Sequence, residues 1–187
     1  MSFVIVEKPR PYITLITLNR PERMNAMAFD VMVPFKEALD EVSFDNETRV
    51  VIVTGAGAGF CSGADLEDPG WMDIFNGLTV PGIARRAMRI LDDVIKAIHD
   101  MHQPVIGAIN GPAIGGGFCL AMATDIRIAS ETAYFRPAGI NNGLTSAELG
   151  LSYLLPRAIG TSRAFEIMLT GRDVDALEAQ QIGLVSK

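Results

Sequence analysis

The sequence predicts an α/β fold. Short apolar runs alternate along the chain with longer segments whose apolar residues recur at helical spacing, a pattern typical of helices that cover a mostly parallel sheet. Two of the apolar runs, at residues 50–54 and 105–109, lead directly into glycine-rich loops. A length of 187 residues is enough for one substantial core. Because no linker-like stretch divides the chain, we expect a single domain over residues 1–187.

The first fifty residues predict two strands and a helix. Runs rich in β-branched residues at 4–7 and 13–18 are separated by Pro9 and Pro11, as expected for a pair of short strands. Apolar residues then recur at roughly helical spacing. We therefore predict an amphipathic helix over residues 28–43.

The central region predicts two further strands, each followed by a helix. The continuous apolar runs at residues 50–54 and 105–109 are typical of strands buried on both faces. A polar, irregular stretch precedes a long predicted helix over residues 83–101. Small and apolar residues then predict a buried helix over residues 118–123, and a third such strand follows at residues 126–129.

Composition and charge exclude several classes of function. The net charge of −6 argues against nucleic acid as the main partner, because phosphate binding requires a basic face. No apolar run approaches the roughly 18 residues of a membrane span, and the first ten residues lack the apolar core of a signal peptide. We therefore expect no membrane partner and a cytoplasmic location. Two cysteines and two histidines lack zinc-like spacing, so we expect no metal.

The glycine-rich loops at residues 55–66 and 110–117 are the candidate functional elements. Glycine after a buried strand lets the backbone approach a ligand and direct N–H groups at an anion or a polarised carbonyl. Either loop alone is equally well explained as a tight turn. Together, at the ends of parallel strands, the loops can aim two N–H donors at one oxygen, which is the geometry of an oxyanion hole.

Two other glycine motifs fit the sequence less well. A dinucleotide-binding fingerprint requires glycine where Phe60 stands. Cys61 lies at the centre of GFCSG, which has the spacing of a nucleophile elbow, but an elbow leads into a helix and the acidic residues 65–70 contain a proline. We interpret His99 and His102, at the end of a predicted helix, as surface or structural residues. A cysteine hydrolase is therefore disfavoured.

Four motifs, in order along the chain, resemble those of the enoyl-CoA hydratase/isomerase, or crotonase-like, family. They are NRP at 19–21 with MNAM at 24–27, FCSGADL at 60–66, INGPAIGGG at 109–117 with DIRIA at 125–129, and LTGR at 169–172. The resemblance covers nearly the whole chain. It implies the crotonase-like form of the α/β fold, a spiral of repeated ββα units. Family members continue beyond the position of Lys187, so it also implies missing C-terminal helices, and a homotrimer or hexamer.

The resemblance implies an acyl-CoA site. The N–H groups of Ala64 and Gly116 would hold the thioester carbonyl and stabilise its enolate, and Gly116 would also belong to the substrate-binding set. The groove for coenzyme A would be lined by residues of the first two motifs, namely Ala26, Met27, Cys61, Gly63, Ala64, Asp65 and Leu66. Arg20 or Arg23 would meet the phosphates, with a solvated surface position as the alternative. Coenzyme A is part of the substrate, so no further cofactor is expected.

A variable stretch follows the second motif. Its apolar residues would form part of the acyl pocket, or would only pack over the core: Trp71, Met72 and Phe75.

The sequence departs from the family's hydratase pattern. Family hydratases carry two glutamates, and the matched positions here hold Cys119 and Gly139. Adding water across a double bond needs groups that activate the water and protonate carbon, and neither residue can do so. Glu148 matches the carboxylate position of some family isomerases, and one carboxylate suffices for a 1,3-proton shift. A structural role is the alternative, because residues 145–148 have the pattern of a helix capping box.

Three functional hypotheses follow. The favoured one is an enzyme of fatty-acid or related acyl-CoA metabolism in which Glu148 transfers a proton while Ala64 and Gly116 stabilise the enolate. The first alternative is an enoyl-CoA hydratase with a non-standard base. The second is a non-catalytic acyl-CoA-binding protein that keeps the oxyanion loops without an active base.

Overall fold

The computed structural model describes residues 2–187, and its main sheet has five strands. β1 (Val4–Arg10) and β2 (Ile13–Leu18) form an antiparallel hairpin. β3 (Val50–Gly55), β4 (Val105–Ile109) and a later strand, β6 (Ile126–Ala129), continue the sheet in parallel from β2. The order across the sheet is β1-β2-β3-β4-β6. The carboxyl ends of β3 and β4 therefore lie side by side, each leading into a glycine-rich loop.

A second, smaller sheet within residues 2–187 has three short strands. β5 (Ala113–Ile114) pairs in parallel with β7 (Tyr134–Arg136), and β8 (Val174–Asp175) pairs with β7 in the antiparallel direction. β5 follows β4 after a three-residue connection. The loop after β4 is therefore part of a second layer of pairing.

Two isolated bridges extend the pairing of the second sheet to earlier parts of the chain. Met27 pairs with Ala64, and Cys61 pairs with Ala113, both in parallel. Each main-sheet strand from β2 onward is thus followed by a short extended segment that pairs with a segment of the next repeat. This repetition of strand, extended segment and helix is the predicted spiral of ββα units.

In the described part of the chain, residues 2–187, six α-helices cover these sheets. Their bounds are Phe29–Ser43 (α1), Val80–His99 (α2), Gly116–Ala123 (α3), Leu151–Ile159 (α4), Thr161–Thr170 (α5) and Ala176–Gln181 (α6). α1 packs against α2, and α3 contacts both α2 and α4. α3 is buried on every side, with Phe118 and Leu120 fully buried. Within residues 2–187, no helix combines the length and the apolar character needed to cross a membrane.

Two helices begin earlier than predicted, for local reasons. α2 starts at Val80 because Thr79 caps it by accepting the N–H of Gly82 (3.4 Å) and because Pro81 is favoured in a first turn. α3 starts at Gly116, so glycines that were predicted to lie in the loop form its first turn. The strands at 13–18, 105–109 and 126–129 match their predicted bounds.

The burial predicted for the central strands is wrong in part. Val51 and Val53 of β3 are fully buried, whereas Val50, Ile52 and Thr54 are half-buried. The same alternation occurs along β4. The two faces of the sheet are therefore covered unequally, although the strands themselves are continuous apolar runs.

Candidate active site

The loop after β3 lies directly against the loop after β4. Gly63 has φ of +85°, in the left-handed region that favours glycine. A methyl group added at Gly63 would lie 2.6 Å from the carbonyl oxygen of Ile114 and 3.2 Å from the nitrogen of Gly116. No side chain fits at that separation. The two loops therefore meet at the peptide that joins Gly63 to Ala64.

The direction of the Ala64 N–H follows from a backbone hydrogen bond. The carbonyl oxygen of Gly63 accepts the N–H of Met27 at 2.7 Å. Because a trans peptide is planar, the N–H of Ala64 points the opposite way, away from Met27. In the described chain, residues 2–187, this N–H has no hydrogen-bond acceptor. It is free to donate to a ligand.

The N–H of Gly116 likewise has no hydrogen-bond acceptor among residues 2–187. Gly116 is the first residue of α3, and the preceding carbonyl of Gly115 accepts the N–H of Cys119 at 3.1 Å. The Gly116 N–H therefore points out of the helix N-terminus, where first-turn N–H groups have no intrahelical partner. The positive end of the helix dipole adds to its attraction for a polarised oxygen. Two donors from separate loops are thus neighbours.

Glu148 lies in a 3-10 turn, Glu148–Gly150, that leads into α4. Its Oε1 accepts a hydrogen bond from Oγ1 of Thr145 at 2.7 Å, and that hydroxyl also accepts the N–H of Ala147 at 3.4 Å. In a capping box the hydroxyl would accept the N–H of residue 148 and the glutamate would accept the N–H of residue 145. Neither bond occurs in residues 2–187, so the capping-box alternative is wrong.

Both positions that hold glutamate in family hydratases adjoin residue 148. The thiol of Cys119 donates to the carbonyl oxygen of Glu148 at 3.6 Å. Oε2 of Glu148 lies 3.3 Å from the place a Cβ would take on Gly139. A Cβ at Gly139 would also overlap the carbonyl oxygen of Thr145. The carboxylate of Glu148 therefore lies where an acidic side chain at 139 would begin.

Leu149 joins the Glu148 turn to the Gly116 donor, and its left-handed conformation was not predicted from the sequence. Leu149 has φ of +50° and is buried, and its Cδ1 lies 3.5 Å from the place of a Cβ on Gly116. A left-handed conformation at a non-glycine residue costs on the order of 1–3 kcal/mol and recurs at functional sites. Leucine has no preference for the left-handed conformation, so the sequence does not indicate that Leu149 adopts it.

Arg20 and Arg23 have carboxylate partners within the protein. Arg20, which is 6% exposed, donates to Asp65 at 3.1 Å and to Asp68 at 2.8 Å. Arg23 donates to Asp65 and Glu67, both at 2.6 Å. Arg20 is therefore neither a solvated surface arginine nor a guanidinium that is free to bind phosphate. The hydrogen bond from Arg23, with backbone N–H groups adding to it, lowers the pKa of Asp65 below its ordinary value.

The remaining candidate residues divide between core and surface. The side chains of Ala26, Met27 and Cys61 are buried, whereas Leu66 is 81% exposed. Asp65 turns its carboxylate toward the arginines. These positions allow the backbone of the first two motifs, rather than most of their side chains, to line a groove.

Two of the predicted acyl-pocket residues, Trp71 and Phe75, pack on each other. The ring of Phe75 is buried, with its centroid 5.0 Å from that of Phe29 and 5.4 Å from that of Trp71. Met72 is half-buried. Two surface cavities of about 320 and 340 Å³ lie elsewhere, one between α1 and α2 and the other beside the β1–β2 turn. Both are lined mainly by charged and polar residues, so neither suits an acyl chain.

The two thiols are unsuited to nucleophilic catalysis. Burial raises the pKa of Cys61 and of Cys119 to about 12, so both remain protonated at neutral pH. His99 and His102 are exposed. Across residues 2–187, no three His, Cys, Asp or Glu side chains are grouped so that they could hold a metal ion.

Known proteins show the same architecture. A family model described as enoyl-CoA hydratase/isomerase matches residues 10–187. The whole chain is 68% identical to a probable enoyl-CoA hydratase of Mycobacterium bovis and spans 66% of that relative's length. A solved probable enoyl-CoA hydratase/isomerase from Mycobacterium abscessus is 67% identical, with a TM-score of 0.93 over 99% of this chain and 68% of that one. A monofunctional enoyl-CoA isomerase from Mycobacterium smegmatis is 59% identical, with a TM-score of 0.82 over 100% of this chain and 76% of that one.

The similarity settles the fold and the family. The chain spans about two thirds of the length of the curated relative from Mycobacterium bovis. The similarity to solved structures confirms the predicted crotonase-like α/β fold. With a family match over residues 10–187 and all four motifs in order, the chain belongs to the enoyl-CoA hydratase/isomerase family.

Proposed function

We propose that this protein is an isomerase of acyl-CoA metabolism. The N–H groups of Ala64 and Gly116 hold the thioester oxygen, and Glu148 removes a proton from one carbon and returns it to another. The observation that carries the proposal is the position of the Glu148 carboxylate, which has one oxygen held by Thr145 and the other beside Gly139.

Enolate stabilisation explains the need for two backbone donors. Removing a proton next to the thioester places negative charge on its oxygen. Fixed N–H groups aimed at that oxygen stabilise the charge without reorganising, and loss of one such donor typically costs about 10²–10³-fold in rate. The free N–H groups of Ala64 and Gly116 suit this task, and the N-terminus of α3 strengthens the second one.

A single carboxylate favours isomerisation over hydration. Oε1 of Glu148 is held by Thr145, while Oε2 accepts no hydrogen bond from residues 2–187 and is available to take up and release a proton. Water addition needs a second acid–base group, and neither Cys119 nor Gly139 supplies one. The similarity to a monofunctional enoyl-CoA isomerase supports the same choice.

The substitution Glu148→Gln tests the proposal. It keeps the size of the side chain but removes the base, so exchange of the α-proton with deuterated solvent falls by about 10²–10⁴-fold. Exchange is followed by mass spectrometry across a panel of acyl-CoAs, and affinity by calorimetry. We expect affinity within a few-fold of the parent.

The control is Glu131→Gln, which removes an exposed carboxylate that forms no hydrogen bond in the described chain. Exchange at the parental rate in Glu148→Gln would mean that a different group is the base. A parent that binds acyl-CoA without any α-proton exchange would be a non-catalytic binder. Addition of water to an enoyl-CoA by the parent would favour the hydratase alternative.

We also propose that the protein forms a homotrimer or hexamer, as the family resemblance implies, and that it is cytoplasmic. Light scattering on the full-length protein measures the oligomeric state, and cell fractionation measures the location.

A further inference from the structure

Asp65 is the most heavily bonded side chain near the candidate site, and it directly follows Ala64. Its side chain is 2% exposed. Arg23 donates to Oδ1 from Nη2 at 2.6 Å and to Oδ2 from Nε at 3.2 Å. Arg20 donates to Oδ2 from Nη1 at 3.1 Å. We call Asp65, Arg20 and Arg23 the Asp65 cluster.

The backbone also turns around this carboxylate. Oδ1 of Asp65 accepts the N–H of Glu67 at 3.1 Å and that of Asp68 at 2.9 Å. With three hydrogen bonds from the arginines and two from the backbone, the carboxylate is fixed in position and direction. A carboxylate with this many charge-assisted bonds cannot rotate without breaking several of them.

These bonds fix Ala64 from its C-terminal side. On its N-terminal side the carbonyl of Gly63 is already bonded to the N–H of Met27. Ala64 therefore lies between two anchored residues, and both anchors lead to the segment that contains Arg20, Arg23 and Met27. Rotating the peptide that carries the Ala64 N–H would break one anchor or the other.

We infer that Asp65 is a positioning residue, which with Arg20 and Arg23 sets the direction of the Ala64 N–H toward the thioester oxygen. This inference rests on the proposed function. Asp65 acts through the Ala64 peptide, and its carboxylate is bonded to the arginines. The arginines act on the reaction through Asp65 rather than by binding phosphate.

Two exposed carboxylates provide matched controls. Glu67 and Asp68 form ion pairs with the same arginines, but their side chains are 80% and 64% exposed. Solvent screens such pairs, so their loss changes little. The variants Glu67→Gln and Asp68→Asn therefore remove a negative charge beside the same arginines while leaving the bonds to Asp65 intact.

The test uses butyryl-CoA with ¹³C at the thioester carbonyl, because its infrared band reports hydrogen bonding to the oxygen directly. Binding to the parent moves the band to lower wavenumber. In Asp65→Asn we expect at least half of that shift to be lost, and α-proton exchange to fall in kcat by about 10²–10³-fold, as for loss of an oxyanion donor. KM stays within about threefold, since most binding contacts remain. Glu67→Gln and Asp68→Asn keep the parental shift.

A second variant covers the case in which Asp65→Asn does not fold. Arg23→Gln removes a half-buried side chain and leaves Asp65 bonded to Arg20 and the backbone, so we expect a folded protein with part of the carbonyl shift lost. A parental shift in folded Asp65→Asn or Arg23→Gln would overturn the inference. We expect Glu148→Gln to keep the shift. The infrared shift therefore tests the direction of the Ala64 N–H, whereas α-proton exchange in Glu148→Gln tests whether Glu148 is the base. A parent without any shift would contradict the oxyanion hole itself.

Discussion

The two halves of the candidate site are built differently. Around Ala64 the backbone is anchored on both sides, and the adjacent Asp65 is buried in charge-assisted hydrogen bonds. Around Glu148, the hydroxyl of Thr145 is the one donor that residues 2–187 provide to the carboxylate, and Thr145 is exposed. Many hydrogen bonds hold the Ala64 half, whereas one side-chain contact within the described chain holds the Glu148 carboxylate.

The contrast follows from what each half does in the proposed reaction. Donors that stabilise developing charge are effective only when their direction is fixed beforehand, because reorientation during the reaction costs energy. A proton-transfer group must instead reach two carbons in turn. In the proposed reaction the base lies at position 148, whereas positions 119 and 139 hold a cysteine and a glycine.

Restoring the hydratase glutamates should give the largest effect. The sequence alone suggests that Cys119→Glu with Gly139→Glu would install hydration, provided that the pocket has room. Because a Cβ at Gly139 overlaps the carbonyl oxygen of Thr145, we expect no hydration. We also expect α-proton exchange to fall by about 10²-fold or more as the Glu148 turn is displaced.

The control for this experiment is Gly139→Ala, which carries the same overlap without a new carboxylate and should lose exchange to a similar extent. Both variants are assayed for water addition and for α-proton exchange. Measurable hydration by the folded double variant would contradict this prediction. It would mean that the Glu148 turn moves to make room for a side chain at position 139.

Removing the hydroxyl of Thr145 should have an intermediate effect. In Thr145→Val, Oε1 of Glu148 loses its donor at 2.7 Å, and the carboxylate samples other directions. We expect kcat for exchange to fall about tenfold, equivalent to about 1.4 kcal/mol, with little change in KM. Thr145→Ser keeps the hydroxyl and should restore most of the rate. Equal rates in the valine and serine variants would exclude a positioning role for this contact.

The smallest expected effect is the contribution of Asp65 to the stability of the fold at acid pH. The pKa of Asp65 is lowered from 3.8 by Arg23 and backbone N–H groups, so its ionised form stabilises the fold fully above about pH 4. This stabilisation is lost as the pH falls through the lower folded-state pKa. Lys8 and Thr48 lower the pKa of Asp45 to about 2. The stabilisation from Asp45 is therefore also lost as the pH falls, in the parent and in the variant alike. The difference in Tm between parent and Asp65→Asn therefore isolates Asp65, and it should narrow as the medium becomes acidic.

A difference in Tm that stays constant from neutral pH into the acid range would contradict this prediction. It would mean that Asp65 contributes through packing and neutral hydrogen bonds rather than through its charge.

Local patterns along the chain predicted the strands of the main sheet and helices α1 to α3, but not β5, β7, β8 or α4 to α6. Strands at 13–18, 105–109 and 126–129 were predicted with their observed bounds, because apolar periodicity and turn residues act over a few positions. The glycine-rich loops were found for the same reason. Helix starts were less certain, because Pro81 and Gly116 serve both in loops and in first helical turns.

The contacts that define the site depend on packing between distant segments. Arg20 and Asp65 are 45 positions apart, and the carboxylate of Glu148 meets Gly139 through a turn whose buried Leu149 is left-handed. Nothing in residue type or spacing distinguishes an arginine bonded to a buried aspartate from one that binds phosphate. The distinction arises when the spiral brings successive loops together, because burial then makes an unpaired charge costly and forces each arginine onto a carboxylate.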